Sequence, residues 1–317
     1  MSEESKTAVV AAMGANLAIA VGKLGAGLLT GSASMLAEAG HSIADTVNQV
    51  FLLIGIRLSG AKADERHPHG RGKEGFFWSF LAAIFIFVAG SVFSVYEGTR
   101  TLVQDENHVR SAGDLLIAFS VLGMAFVFES FSFVFAVRGV LHGARRRGWG
   151  MLRFMREAPE PTSKTVFYED GAALTGLAIA AAGLGLSEAT GNEMWDGLAS
   201  LGIGVVLAAV AYILGSQSRR LLLGSAAHVD TRTAIAETLR SFPEVETIVR
   251  VLTMQLGSHS VLVTGELQVR RELGLDAIED LMLRIDARLA ETVPEVSDTF
   301  WELKRTSAPA DEAAATP

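Results

Sequence analysis

Long apolar runs separated by short polar connections fill roughly the first 220 residues of the chain. A helix needs about 20 apolar residues to cross a hydrocarbon core about 30 Å thick. Six runs reach that length, so the pattern predicts an α-helical membrane protein with six transmembrane helices. They lie at about residues 8–29, 34–57, 76–103, 114–138, 166–187 and 196–216, after a short polar segment at residues 1–7.

The second run is the least apolar, because five polar side chains fall on one face of the predicted helix. At 100° per residue they lie within roughly 80° of one another. These side chains are Ser34, Glu38, His41, Asp45 and Asn48. The opposite face carries apolar residues such as Leu36 and Ile43. A helix of this kind turns its polar face toward a bundle interior or an aqueous cavity, not toward lipid.

The pattern changes after Arg220 to one typical of a small α+β domain, predicted at residues 225–304. Helical spacing and strand-like alternation give the order αββαβ, which is ferredoxin-like. The predicted elements are a helix at 230–241, strands at 246–256 and 259–269, a helix at 275–292 and a strand at 295–303. The tail at 305–317 is rich in Ala, Pro and acidic residues, and we predict that it is disordered.

Basic residues are concentrated in two connections, between the second and third runs and between the fourth and fifth. By the positive-inside rule, these loops, both termini and the α+β domain are predicted to be cytoplasmic. A bacterial or an organellar membrane would fit this pattern. We expect an integral, multi-pass protein of a bacterial cytoplasmic (inner) membrane.

Composition and the absence of known motifs exclude several classes of function. The chain is 50% hydrophobic, carries a net charge of −8 and contains no cysteine. The charge argues against a nucleic-acid partner, and the lack of cysteine excludes thiolate metal sites and disulfides. The sequence has no phosphate-binding loop, no His-Glu-x-x-His motif and no nucleophile-plus-base motif. We therefore expect neither an enzyme nor an ATP-driven pump, and no cofactor.

His41 and Asp45 are the residues most indicative of chemistry, because they share one helix face inside a predicted span. An Asp in mid-bilayer costs roughly 2.5–3.5 kcal/mol, so such a residue is a functional candidate. Imidazole plus carboxylate suits a divalent transition metal such as zinc, which takes four ligands. A second helix must therefore contribute, and the fifth run begins with Glu169 and Asp170.

Neighbouring helical residues diverge by about 100°, so Glu169 and Asp170 cannot both point directly at one ion. We favour Asp170 as the ligand, with Glu169 as an outer partner, a proton carrier or an alternative ligand. Asn48 could complete the site or make an interhelical hydrogen bond. Glu38 could line the pathway or be structural, and Glu129 could relay protons or pair with Lys23 or Asn16.

Histidines outside the spans leave further alternatives. His67 and His69 lie in the first basic loop, where they could feed metal to the pore or form a turn that docks on the tail domain. His228 and His259 of the tail domain could bind regulatory metal, although a role of this domain in dimerisation is the stronger expectation.

The polar second span, the loop His67-Pro-His-Gly-Arg-Gly-Lys-Glu74, the six spans and the αββαβ tail resemble the cation diffusion facilitator family. Its transport site joins a His/Asp-x-x-x-Asp on span two to another on span five. His41 and Asp45 match the first half, and Asp170 matches the end of the second. Val166 stands where that family has its His or Asp. The Glu169-Asp170 pair is similar to the branch that includes a mitochondrial zinc transporter.

The resemblance implies a homodimeric secondary transporter in the lipid bilayer that exports divalent cations from the cytoplasm by proton antiport with alternating access. Zn²⁺ is the first candidate, with Mn²⁺, Fe²⁺, Co²⁺ and Cd²⁺ as further ones. A neutral imidazole is needed for metal binding, and imidazole titrates near physiological pH. The alternative is a non-transporting membrane regulator or scaffold with a metal-sensing or protein-binding tail domain.

Overall fold

The computed structural model describes residues 3–104, 111–158 and 161–304. The predicted disordered tail at 305–317 lies outside the described residues. The chain forms two compact units. The helical unit is drawn from residues 1–57, 76–156 and 160–219, and the sheet unit from residues 58–75, 157–159 and 220–317.

The helical unit is built from six long helices and one short helix among the described residues. They are α1 (Glu3–Thr30), α2 (Ala33–Ser59), α3 (Glu74–Gln104), α4 (Ala112–Arg146), α5 (Met151–Glu157), α6 (Pro161–Thr190) and α7 (Met194–Leu222). All but α5 are at least 27 residues long, and α5 was not predicted from the sequence.

Four of these helices are long and apolar enough to cross a membrane: α3, α4, the segment Lys164–Thr190 of α6, and α7. In α1 the described apolar stretch is the shorter Asn16–Thr30. Helix α2 is long enough but carries the polar face, which lowers its hydropathy. The fold is therefore that of a helical membrane protein with four clear apolar spans, and hydropathy alone does not establish the six predicted.

Helix α3 contains a π-helical segment at Ile86–Val92, which the hydrophobic pattern did not predict. The segment lies against α7, where small residues allow close approach of the two backbones. Ser91 Oγ donates to the carbonyl of Gly204 at 2.8 Å, and Ser200 Oγ donates to the carbonyl of Ser94 at 2.8 Å. A widened turn shifts the register of the following residues, and here the two hydrogen bonds lie at the end of the segment and just after it.

The sheet unit contains α8 (Val229–Arg240), β1 (Val245–Gly257), β2 (Ser260–Val269), α9 (Leu275–Thr292) and β3 (Val296–Leu303). Strand β2 is central, antiparallel to β1 and parallel to β3. Its alternate residues Val261, Val263 and Leu267 are buried in one core with side chains of both helices. The αββαβ order matches the order predicted from the sequence.

The connection between α2 and α3 folds as part of the sheet unit. His69 Nδ1 lies 3.2 Å from Asp298 Oδ2 on β3, and Gly72 approaches the backbone of Leu256 and Gly257 so closely that a Cβ would clash. This contact confirms the prediction that the His67/His69 turn docks on the tail domain. Asp64 braces the turn, since Arg71 and His67 hold the pKa of its carboxyl well below the usual range.

Candidate functional site

The polar face of α2 is turned into the helical unit, as predicted. Glu38 and Asn48 are fully buried, His41 is 3% exposed, and Asp45 is half-buried. Apolar positions on the other side, such as Ile43, are exposed. The helix thus presents a column of polar groups to its neighbours and its apolar side chains outward.

Helix α6 meets this column through Glu169. Asn48 Nδ2 donates to Glu169 Oε2 at 2.6 Å, and the carboxyl groups of Glu169 and Asp45 interact directly. Asn16 of α1 donates to Asp45 Oδ2 at 3.4 Å. Three helices therefore converge on Asp45 and Asn48, and α6 contributes Glu169.

Asp170 faces a different neighbour. Its Oδ2 accepts a hydrogen bond of 2.8 Å from Ser132 of α4, the helix that also carries the buried Glu129. The two acids diverge as expected of adjacent helical residues. Val166, one turn earlier, is half-buried and offers no ligand atom.

Several buried acceptor atoms around this column have no hydrogen-bond partner among the described residues. They are His41 Nδ1, Asn48 Oδ1, Glu169 Oε1 and Glu38 Oε1. Leaving a buried polar group unsatisfied costs about 1–3 kcal/mol. In the described part of the chain, no three His, Asp or Glu side chains are close enough together to hold a metal ion. The acceptors line the same face without converging on one point.

Lys23 places a fixed positive charge beside the column. Its ammonium is fully buried and lies 2.9 Å from Glu38 Oε2 and 2.8 Å from Ser42 Oγ. The sequence suggested Lys23 or Asn16 as a partner of Glu129, whereas these side chains hydrogen-bond to Glu38 and Asp45. Gly176 of α6 leaves the space that the Glu38 carboxylate occupies.

Asp196, at the start of α7, was not identified from the sequence. Its buried carboxylate accepts from Ser32 Oγ at 2.9 Å, from the backbone N–H of Ala33 at 2.6 Å, and from Ser34 Oγ. It thereby caps α2 and ties the α1–α2 turn to α7. The signal in the sequence was the Ser-x-Ser pattern typical of a helix start.

The histidines of the sheet unit do not form a shared site in the described residues. His228 caps α8 by accepting from the backbone N–H of Asp230, and its Nε2 lies 2.7 Å from Glu157 Oε2. His259 is exposed in the β1–β2 turn.

Comparison with known proteins assigns the family. The model of the cation efflux transmembrane domain matches residues 9–223. The mitochondrial proton-coupled zinc antiporter SLC30A9 of Xenopus laevis is 34% identical over 244 residues, 77% of this chain and 43% of that protein. The human protein of that name is 33% identical over 239 residues, which are 75% of this chain and 41% of the relative.

Metal tolerance protein C4 of Arabidopsis thaliana is 31% identical over 271 residues, 86% of this chain and 58% of that protein. The matched region thus spans about two fifths of the antiporters and less than two thirds of the plant protein. The expectation of a bacterial cytoplasmic membrane is wrong, because these relatives are mitochondrial and plant proteins.

The family is one of transporters and not of enzymes. The chain belongs to the cation efflux family, in the branch of the mitochondrial zinc transporters.

Proposed function

We propose that this protein transports divalent metal cations, with Zn²⁺ as the main substrate, across an organellar membrane in exchange for protons. The observation that carries the proposal is the set of buried, unpartnered acceptors His41 Nδ1, Asn48 Oδ1 and Glu169 Oε1 along one polar face. A merely structural polar face would pair such acceptors internally. They do not converge on one point in the described conformation, so we propose that the helices close around the cation when it binds. The relatives named proton-coupled zinc antiporters support the choice of zinc as the substrate and of protons as the exchanged ion.

We propose that His41, Asp45 and Glu169 supply the ligands once the helices have closed around the ion, and that Asn48 orients Glu169 or joins it. We propose Glu169 as a ligand in preference to Asp170, because Glu169 faces Asp45 and Asn48. Asp170 is instead held by a hydrogen bond from Ser132. One imidazole and two carboxylates suit Zn²⁺ and are also compatible with Mn²⁺, Fe²⁺, Co²⁺ and Cd²⁺. Asp170 remains a candidate ligand in another conformation of the transport cycle.

Proton exchange follows from the ligands. A carboxylate or an imidazole must be unprotonated to bind metal, so metal loading releases protons and protonation releases metal. We propose alternating access, in which the bundle opens in turn to either side of the membrane. The carboxyl group of Glu129 is close enough to those of Asp45, Glu169 and Asp170 to interact with them electrostatically. Glu129 is therefore the candidate for passing protons to and from them.

The proposed membrane domain has six spans, with α1 and α2 added to the four apolar helices. The acceptors of α2 are shielded by its neighbours, so its polar face does not meet lipid. An even number of spans leaves both ends of the domain on the side of the two basic loops, from which metal would be loaded. We also propose that the protein is a homodimer, with the sheet unit contributing to assembly.

The proposal is tested by Zn²⁺ flux into proteoliposomes, with a pH gradient of either sign. We expect Asp45→Asn and Glu169→Gln to abolish flux and Asn48→Ala to weaken zinc affinity about 10–100-fold, as partners of metal ligands do. The matched control is Glu188→Gln, which removes an exposed acid from the same helix as Glu169. Wild-type flux in Glu169→Gln would refute the site. Flux insensitive to the pH gradient would refute proton exchange.

A further inference from the structure

A groove of about 410 Å³ runs between α3 and α7 on the outside of the helical unit. Its floor is made of small residues, since Ala83 and Ala211 are buried and a Cβ at Gly215 would lie 3.6 Å from that of Ala83. Aromatic side chains form the walls, among them Phe87, 46% exposed, and Tyr212, 76% exposed. The shape is that of a narrow apolar channel open along one side.

One end of the groove is cationic. Ser216 and Arg219 line it there, one and two turns beyond Tyr212 on α7. Arg219 is exposed and makes no ion pair with any residue in the described parts of the chain. From Ala208 to Arg219 the groove follows α7 for about 16 Å, at 1.5 Å per residue. The site therefore combines a long apolar body with one unpaired positive charge.

The position of Arg219 along its helix fits the membrane–water interface. The rise from Asp196 to Arg219 is about 34 Å at 1.5 Å per residue, slightly more than a hydrocarbon core of about 30 Å. Arg220 follows, and both lie at the end of α7 that shares a side with the basic loops in a six-span topology. Basic pockets between membrane helices at this depth are suited to anionic lipid head groups.

We propose that this groove binds one anionic phospholipid, with an acyl chain against Ala83 and Ala211 and its phosphate at Arg219. A second copy that packs through the same face about a two-fold axis is a poorer occupant, because the described lining residues include no carboxylate that could pair with Arg219. A lipid phosphate supplies that charge, and the acyl chain fills the apolar length.

Native mass spectrometry of the full chain, exchanged into mixed phosphatidylglycerol and phosphatidylcholine, tests the proposal. We expect wild type to retain one phosphatidylglycerol with a preference of roughly tenfold, as one charge-assisted contact gives. Arg219→Gln should remove the preference. The matched control Arg220→Gln removes the neighbouring exposed charge, which does not line the groove, and should keep it.

A second variant separates the acyl chain from the charge. Ala208→Phe places a ring at the end of the groove away from Arg219 and keeps the arginine. We therefore expect fewer bound lipids, with the preference for phosphatidylglycerol unchanged among those that still bind. Equal retention of both lipids by wild type would overturn the proposal. So would an equal loss in Arg219→Gln and Arg220→Gln, or a lipid-free dimer whose α3–α7 faces cross-link to each other. Thermal melting of each variant verifies that it is folded.

Discussion

Replacing Lys23 by Met should destabilise the helical unit strongly, because it leaves Glu38 buried without its counter-charge. Both side chains are fully buried, and the ammonium makes two contacts, 2.9 Å to Glu38 and 2.8 Å to Ser42. Removing one partner of a buried ion pair costs about 3–5 kcal/mol. At roughly 2–4 °C per kcal/mol for a domain of this size, the melting temperature should fall by about 6–20 °C.

The assay is thermal unfolding of the detergent-solubilised full chain, followed by tryptophan fluorescence. Lys62→Met removes an exposed lysine and serves as the control, with no expected change. The double variant Lys23→Met/Glu38→Gln should recover part of the loss, since no buried charge is then left unpaired. If Lys23→Met melts within about 2 °C of the control, the pair contributes little and the electrostatic reasoning is refuted.

Three further predictions concern other parts of the molecule. Asp196→Asn leaves one of three donors at the start of α2 without an acceptor, so unfolding should become easier by about 1–3 kcal/mol in the same melting assay. Gly265→Ala puts a methyl group into the Trp301 ring, and should cost about 1–3 kcal/mol through overpacking. The lowered pKa of Asp64 means that its contacts with Arg71 stabilise the fold above about pH 4 and are lost as the pH falls further. Asp64→Asn should therefore flatten the acid limb of a stability–pH profile, and an unchanged limb would contradict this.

Hydropathy and periodicity were sufficient to predict the long helices of the helical unit and the order of the sheet unit. The observed strands β1 and β2 lie within one residue of the predicted ones, because each alternates between a buried and an open face. The same reasoning predicted the polar face of α2, since side-chain direction within one helix follows from spacing alone.

The sequence did not predict which side chains of different helices contact one another. Lys23 pairs with Glu38 and not with Glu129, and the distinction depends on how α1 is rotated against α2 and α4. The same limit applies to Glu169 and Asp170, for which spacing showed only that they must diverge. The π-helical segment Ile86–Val92 was missed because a changed backbone register leaves no trace in hydropathy.

The most direct test is the number of Zn²⁺ ions bound by the full chain at neutral pH, measured by isothermal titration calorimetry. We predict that Glu169→Gln lowers the stoichiometry by one ion per chain, while Glu188→Gln on the same helix binds as wild type. Proton release, measured in buffers of different ionisation enthalpy, should fall with it. An unchanged stoichiometry in Glu169→Gln would contradict the proposal that the unpartnered acceptors between α2 and α6 hold the transported ion.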